Sequence, residues 1–113
     1  MAQILQAGAA VADITPEVGY PLEGYHREGV SVGVLDRLEV AALVLDDGLR
    51  RGVLVTVDNV GLSVPQTAAV RRAVATACGS GLRGAMVCYS HTHSGPRADQ
   101  PYLDLLCDRA GAA

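Results

Sequence analysis

The order of apolar and polar positions along the chain predicts four strands and two helices. Runs of small and aliphatic residues bounded by Pro, Gly or acidic residues are typical of strands, because these residues suit a buried pleated surface and the bounding residues suit turns. The predicted strands cover residues 7–14, 38–45, 51–58 and 84–90. Between residues 64 and 78 the apolar positions recur every three or four residues, which predicts a helix, and a second helix is predicted over 101–109.

The connections between these segments predict how the strands pair. Asp46-Asp47-Gly48 is a turn signal, so the second and third strands are expected to be antiparallel neighbours. The predicted helix at 64–78 then carries the chain back to a fourth strand parallel to the third. The continuous apolar centre of the third strand predicts burial on both of its faces. The fold class is therefore α/β, with a mixed sheet of about four strands and a crossover helix.

Local signals mark the ends of several elements. Ser63 is positioned to cap the first helix, with Pro65 in its first turn, and Asp99 to cap the second. Asp13 is expected to bond to the backbone of the turn at Thr15-Pro16. Residues 17–34, with four glycines, predict a long irregular loop, and such loops in compact domains often carry function.

Composition and charge exclude some classes of function. The 113 residues amount to a single domain, 1–113, with a net charge of −3. All nine basic residues are arginines, without a basic run, which disfavours nucleic-acid binding. No apolar run is long enough to cross a bilayer, and the N-terminus carries no clear signal peptide. The three cysteines form no Cys-x-x-Cys pair, and Cys88, within a predicted strand, is expected to be a small buried hydrophobe.

The segment with the strongest chemical signal is Tyr89-Ser90-His91-Thr92-His93-Ser94-Gly95-Pro96. Alternate side chains of an extended backbone point the same way, so His91 and His93 are expected to share one side at the carboxyl end of the fourth strand. Two neutral imidazoles that converge there are suited to zinc, or to one ligand beside one proton-handling group. An isolated His-x-His pair is more commonly an ordinary surface feature, and that alternative stays open.

Several segments together resemble the N-terminal part of the neutral/alkaline (non-lysosomal) ceramidase family. The hexapeptide His91-Thr92-His93-Ser94-Gly95-Pro96 is the most specific of them. The others are weaker singly and occur in the family's order: Ala7-Gly8-Ala9, Asp13-Ile14-Thr15-Pro16, Gly24-Tyr25, Asp36-Arg37-Leu38 and Asp58. The resemblance extends over essentially the whole chain.

The resemblance implies a zinc amidohydrolase that cleaves the N-acyl amide of ceramide to sphingosine and a fatty acid. It makes His91 a zinc ligand and His93 a catalytic residue beside the metal. Gly24 and Tyr25 would border the substrate, and Asp58 would support a metal ligand through a hydrogen bond. The family completes its Zn²⁺ site with a histidine, a glutamate and a tyrosine from later in a longer chain. The resemblance therefore implies an incomplete piece of a larger α/β catalytic domain, from a family often secreted or membrane-associated.

Other interpretations remain beside this one. The chain is also compatible with a metal hydrolase of another amide or an ester, or with a catalytically silent or partner-dependent α/β fragment. A metal-dependent amidohydrolase barrel ranks lower, because its His-x-His pair follows the first strand, whereas three strands and a helix precede the pair here. Sheet edges and an apolar face left uncovered would favour self-association.

Overall fold

Four strands form one mixed sheet in the order β1-β2-β3-β4 in the computed structural model, which describes residues 4–26 and 29–112. β1 pairs antiparallel with β2, β2 antiparallel with β3, and β3 parallel with β4. The fold class predicted from the sequence is thus confirmed. The strands are β1 (Gln6–Asp13), β2 (Glu39–Asp46), β3 (Arg51–Val57) and β4 (Ala85–Tyr89), and the helices are α1 (Val64–Cys78) and α2 (Gln100–Ala112).

The predicted helix caps are present. The Ser63 hydroxyl accepts the backbone N–H of Gln66 at 3.3 Å, and the Gln66 side chain accepts the N–H of Ser63 at 2.9 Å. This reciprocal pair fixes the start of α1 where the sequence predicts it. Asp99 accepts the N–H of Tyr102 at 3.0 Å. α2 is longer than predicted at both ends, because Pro101 is tolerated in a first turn and Ala110 still packs into the core.

The core lies on one face of the sheet, under both helices. Val53, Val55 and Val57 of β3 are buried there, together with Val70 and Val74 of α1. The prediction that β3 is buried on both faces is wrong. Burial alternates along this strand, and Leu54 is 40 % exposed because the described helices pack against only one side of the sheet.

The other side of the sheet is an apolar surface, here called the open face. It carries the exposed side chains of Val11, Leu43, Leu45, Leu54 and Met86, and Leu43, Leu54 and Met86 lie side by side across three strands. Cys88, which the sequence predicts as buried, is exposed. Self-association through this face or the sheet edges stays a prediction. Within the described ranges, neither helix is long and apolar enough to span a membrane.

An aromatic cluster attaches the loop after β1 to α2. The buried hydroxyl of Tyr102 donates to the carbonyl oxygen of Ile14 at 2.8 Å, and the Tyr102 ring lies 5.9 Å from the ring of Tyr20. The Tyr20 hydroxyl donates in turn to the Asp99 carboxylate. Burial, reinforced by Asp99, raises the pKa of Tyr20 to about 12, and the hydroxyl of Tyr20 lowers the pKa of Asp99. The long loop is therefore fixed to the fold before it reaches the histidines.

Candidate active site

The two histidines lie in a turn just beyond the last strand. β4 ends at Tyr89, and the N–H of His91 donates to the carbonyl oxygen of Asn59 at 3.0 Å. His91 has a φ of 62°, a left-handed conformation that is uncommon for residues other than glycine. The expectation of an extended His-x-His at the strand end is therefore wrong in its geometry. A kinked backbone that pairs with the residues after β3 positions the imidazoles instead.

The imidazoles nevertheless converge. Their ring centroids are 4.7 Å apart and the ring planes are nearly perpendicular, at 85°. The Nδ1–H of His91 donates to the carbonyl oxygen of Val60 at 2.6 Å, and the Nδ1–H of His93 donates to that of Gly24 at 3.0 Å. A carbonyl oxygen can only accept, so these bonds place the proton on Nδ1 and the lone pair on Nε2. Metal-binding histidines are characteristically held in this way.

Gly24 allows the long loop to approach His93 closely. Its φ is 109°, and a β-carbon at this position would lie 2.8 Å from His93 Nδ1 and 2.9 Å from its Cα. No side chain other than hydrogen fits there without displacing the histidine. The structure thus brings Gly24 into direct contact with His93. A contact between Gly24 and substrate stays a prediction.

Tyr25, which follows Gly24 in the loop, packs its ring against the ring of His93. Its ring centroid is 4.8 Å from that of His93, with an interplanar angle of 48°, and the residue is 63 % exposed. An exposed aromatic ring against an imidazole offers an apolar surface with a polar hydroxyl at its tip. Tyr25 therefore lies against His93, and its role toward substrate stays a prediction.

Backbone hydrogen bonds join this loop to the histidine turn. The N–H of Glu23 donates to Gly95 O at 2.9 Å, and the N–H of Arg97 donates to Pro21 O at 2.8 Å. Between these bonds, Leu22 and Pro96 form an antiparallel bridge. Residues 21–25 and 93–97 therefore behave as one unit, whose parts are far apart in the sequence.

Asp58 makes its hydrogen bonds away from the histidines. Its carboxylate accepts the N–H of Glu39 at 2.9 Å, and its own N–H donates to Glu39 O at 3.0 Å. These bonds join the start of β2 to the end of β3 and give Asp58 a structural role. Support of a metal ligand by Asp58 stays a prediction.

Asn59 is a site residue that the sequence reasoning missed. It is 1 % exposed, its amide Nδ2–H donates to Pro96 O at 3.3 Å, and its Oδ1 accepts the N–H of Gly61 at 3.0 Å. Its backbone oxygen also accepts from His91. Asn59 thus holds both ends of the histidine turn. The only signal in the sequence was a polar residue directly after a buried strand, which is where ligand sites collect in α/β sheets.

The donor set for a metal is incomplete in the part of the chain that the structure describes. Among residues 4–26 and 29–112, no group of three or more His, Cys, Asp or Glu side chains is arranged to hold an ion. A catalytic zinc commonly uses three protein ligands and keeps one position open. The chemistry and tautomer of His91 fit zinc, and the residues that the structure describes supply only part of the donors that such a site needs.

Comparison with solved structures places this arrangement in a known fold. The crystal structure of neutral ceramidase from Pseudomonas aeruginosa superposes with a TM-score of 0.78 at 24% identity, over 97% of this chain and 21% of that chain. The chain has the fold of a piece of neutral ceramidase. A ceramidase complexed with C2 gives a TM-score of 0.74 at 21% identity, over 96% of this chain and 20% of its own. The resemblance drawn from the sequence is confirmed at the level of the fold.

The similarity to neutral ceramidase is limited in two ways. The chain spans about a fifth of the length of both ceramidase structures, at 21% and 20%. No protein-family model matches the chain, and no curated protein matches it. The comparisons therefore show the fold of this chain.

Proposed function

We propose that this chain carries one portion of the active site of a zinc-dependent amidohydrolase that cleaves the N-acyl amide of ceramide. The observation that carries the proposal is the pair of imidazoles 4.7 Å apart, each with Nδ1 bonded to a backbone carbonyl. The similarity in fold to neutral ceramidase supports the choice of a ceramide-like lipid amide as substrate.

The residues of this chain have separate roles in the proposal. His91 binds zinc through Nε2, and Val60 O fixes the orientation of its ring. His93 lies beside the metal, where a neutral imidazole can accept a proton or stabilise charge on the substrate oxygen. Gly24 and Tyr25 border the substrate on the His93 side. A zinc ion held by His91 and the remaining ligands would supply Lewis-acid chemistry, namely activation of a water molecule and polarisation of the amide carbonyl.

The remaining zinc ligands of the proposed site are not among His91, His93, Gly24 and Tyr25. By the family resemblance they are a histidine, a glutamate and a tyrosine. Two imidazoles alone bind zinc weakly. We therefore expect the 113-residue chain by itself to bind zinc weakly and not to catalyse hydrolysis.

The test is ceramide hydrolysis by a protein that contains this chain together with those ligands. We expect a chelator to abolish fatty-acid release and zinc to restore it. His91→Ala should lower kcat/KM by more than about 100-fold, since loss even of residues that support a ligand costs about 10- to 100-fold. His26→Ala is the matched control and should leave activity unchanged. Activity that survives chelation would refute the proposal.

The alternative is a catalytically silent or partner-dependent α/β fragment. The absence of a third metal donor among the described residues is compatible with it. A zinc titration of the isolated chain distinguishes the proposed zinc site from a silent fragment, because a silent fragment gives no zinc binding that depends on His91. A hydrolase of another amide or an ester is tested by exchanging the substrate in the same assay.

A further inference from the structure

The peptide unit between Val60 and Gly61 connects the side chain of Asn59 to that of His91. On one side of this unit, the N–H of Gly61 donates to Asn59 Oδ1 at 3.0 Å. On the other side, the carbonyl oxygen of Val60 accepts the Nδ1–H of His91 at 2.6 Å. Because a trans peptide unit is planar, its N–H and C=O point in opposite directions and rotate together. The bond to Asn59 Oδ1 therefore orients the carbonyl that binds His91.

The backbone holds His91 against the same turn. The N–H of His91 donates to Asn59 O at 3.0 Å, so the consecutive carbonyls of residues 59 and 60 bind its main chain and its side chain. His91 has a φ of 62°, a conformation that costs free energy for a residue with a β-carbon and persists where the surroundings hold it. Gly61 has a φ of 151°, which favours glycine. The turn at 59–61 thus supports the unusual backbone of His91.

An asparagine amide suits this position because it supplies both an acceptor and a donor. Oδ1 accepts the N–H of Gly61, and Nδ2–H donates to Pro96 O at 3.3 Å. An N–H can only donate and a carbonyl can only accept, so these partners determine the orientation of the amide. Asn59 is 1% exposed, and loss of either bond would leave a buried polar group without its partner.

We propose that Asn59 is a positioning residue, which sets the tautomer of His91 through the Val60–Gly61 peptide and so leaves Nε2 free for zinc. The role of zinc in this inference rests on the proposed function, whereas the link between Asn59 and the tautomer does not. Hydrogen bonds in a chain polarise one another, so the bond from Gly61 to Oδ1 strengthens the bond between Val60 O and His91. The buried amide acts on the imidazole through one peptide unit.

The test measures the tautomer of His91 by long-range ¹H–¹⁵N NMR of the metal-free chain in a matched pair of variants. Asn59→Ser and Asn59→Ala both lose the bond to Pro96 O, but only the serine hydroxyl can accept the N–H of Gly61. We expect His91 to keep Nδ1–H in the serine variant and to lose it in favour of Nε2–H in the alanine variant. Retention of Nδ1–H in the alanine variant, or equal loss in both variants, would overturn the proposal.

A second pair keeps the test decisive if Asn59→Ala does not fold. Asn59→Thr and Asn59→Val are alike in shape, and only threonine carries a hydroxyl acceptor. The same difference in the His91 tautomer is expected between them, and its absence would overturn the proposal. Val70→Ala is the control for lost stability, because it removes buried volume in α1. It should keep Nδ1–H at His91, and loss of Nδ1–H there would show that the tautomer follows global stability instead of Asn59.

Zinc binding connects the tautomer to the proposed site. Zinc titrated into the chain and followed at His91 Nε2 should bind about 10- to 100-fold more weakly in Asn59→Ala than in the unchanged chain, the cost typical of losing a residue that supports a metal ligand. Val70→Ala should bind zinc as the unchanged chain does. Unchanged affinity in Asn59→Ala would contradict the proposal. If no variant and no unchanged chain binds zinc, the proposed function fails, and the tautomer measured without metal still decides the role of Asn59.

Discussion

At the scale of residues, side-chain identity predicted part of the site and backbone geometry supplied the rest. The His-x-His motif and the Gly24-Tyr25 pair could be recognised in the sequence, and the structure brings them together. The oxygens that orient the imidazoles belong to the backbone at Val60 and Gly24. Every residue has such an oxygen, so the sequence carries no signal for which one is used.

Gly24 provides a direct test of this contact. Gly24→Ala should destabilise the fold by about 1–2 kcal/mol for the left-handed backbone, with roughly 1–3 kcal/mol more for the clash with His93. Gly19→Ala is the matched control, because Gly19 has a similar φ of 100° and no atom within 4 Å of its β-carbon site. Chemical denaturation gives the free energies, and NMR of the His93 ring reports its displacement. Equal losses in both variants would contradict the close contact.

At the scale of elements, the capping residues explain why α1 was predicted at its observed bounds. Ser63, Pro65 and Gln66 together define one starting point for this helix. The start of α2 is fixed by Asp99, which the sequence also indicated, but the partner of Asp99 was not predictable. Tyr20 reaches it from 79 residues away, and only the folded chain creates that contact.

The bond between Tyr20 and Asp99 predicts a dependence of stability on pH. The hydroxyl of Tyr20 and the N–H of Tyr102 favour the carboxylate, so the pKa of Asp99 lies below its ordinary value of 3.8. This stabilisation is present above the unfolded-state pKa and is lost as the pH falls through the folded-state pKa. In Tyr20→Phe the pKa of Asp99 should rise toward the ordinary value, and the fold should lose less stability in acid.

NMR titration of the Asp99 carboxyl checks this prediction, with denaturation measured at neutral and acidic pH. Tyr25→Phe is the control, because its ring lies against His93. An unchanged pKa of Asp99 in Tyr20→Phe would show that the hydroxyl does not bind the carboxylate in solution.

At the scale of the whole molecule, the pairing of β2, β3 and β4 followed from the sequence, whereas the position of β1 and the burial of β3 did not. The turn at residues 46–48 and the crossover helix determine the pairing of β2, β3 and β4 locally, so this part of the topology was predictable. Burial of a sheet face depends on what packs against it. The aliphatic centre of β3 suggested cover on both sides, and the described helices cover one. The side of the sheet against which neither described helix packs is the open face.

The central claim is that His91 and His93 are both held with Nδ1 protonated, so that His91 presents Nε2 to zinc and His93 lies beside the metal. The most direct measurement is long-range ¹H–¹⁵N NMR of the imidazoles during a zinc titration, with His26 as an internal reference. We expect the Nδ1–H tautomer for both residues before zinc, and a selective change at His91 Nε2 as zinc is added, absent in His91→Ala. An Nε2–H tautomer at His91, or changes no larger than those at His26, would contradict the account.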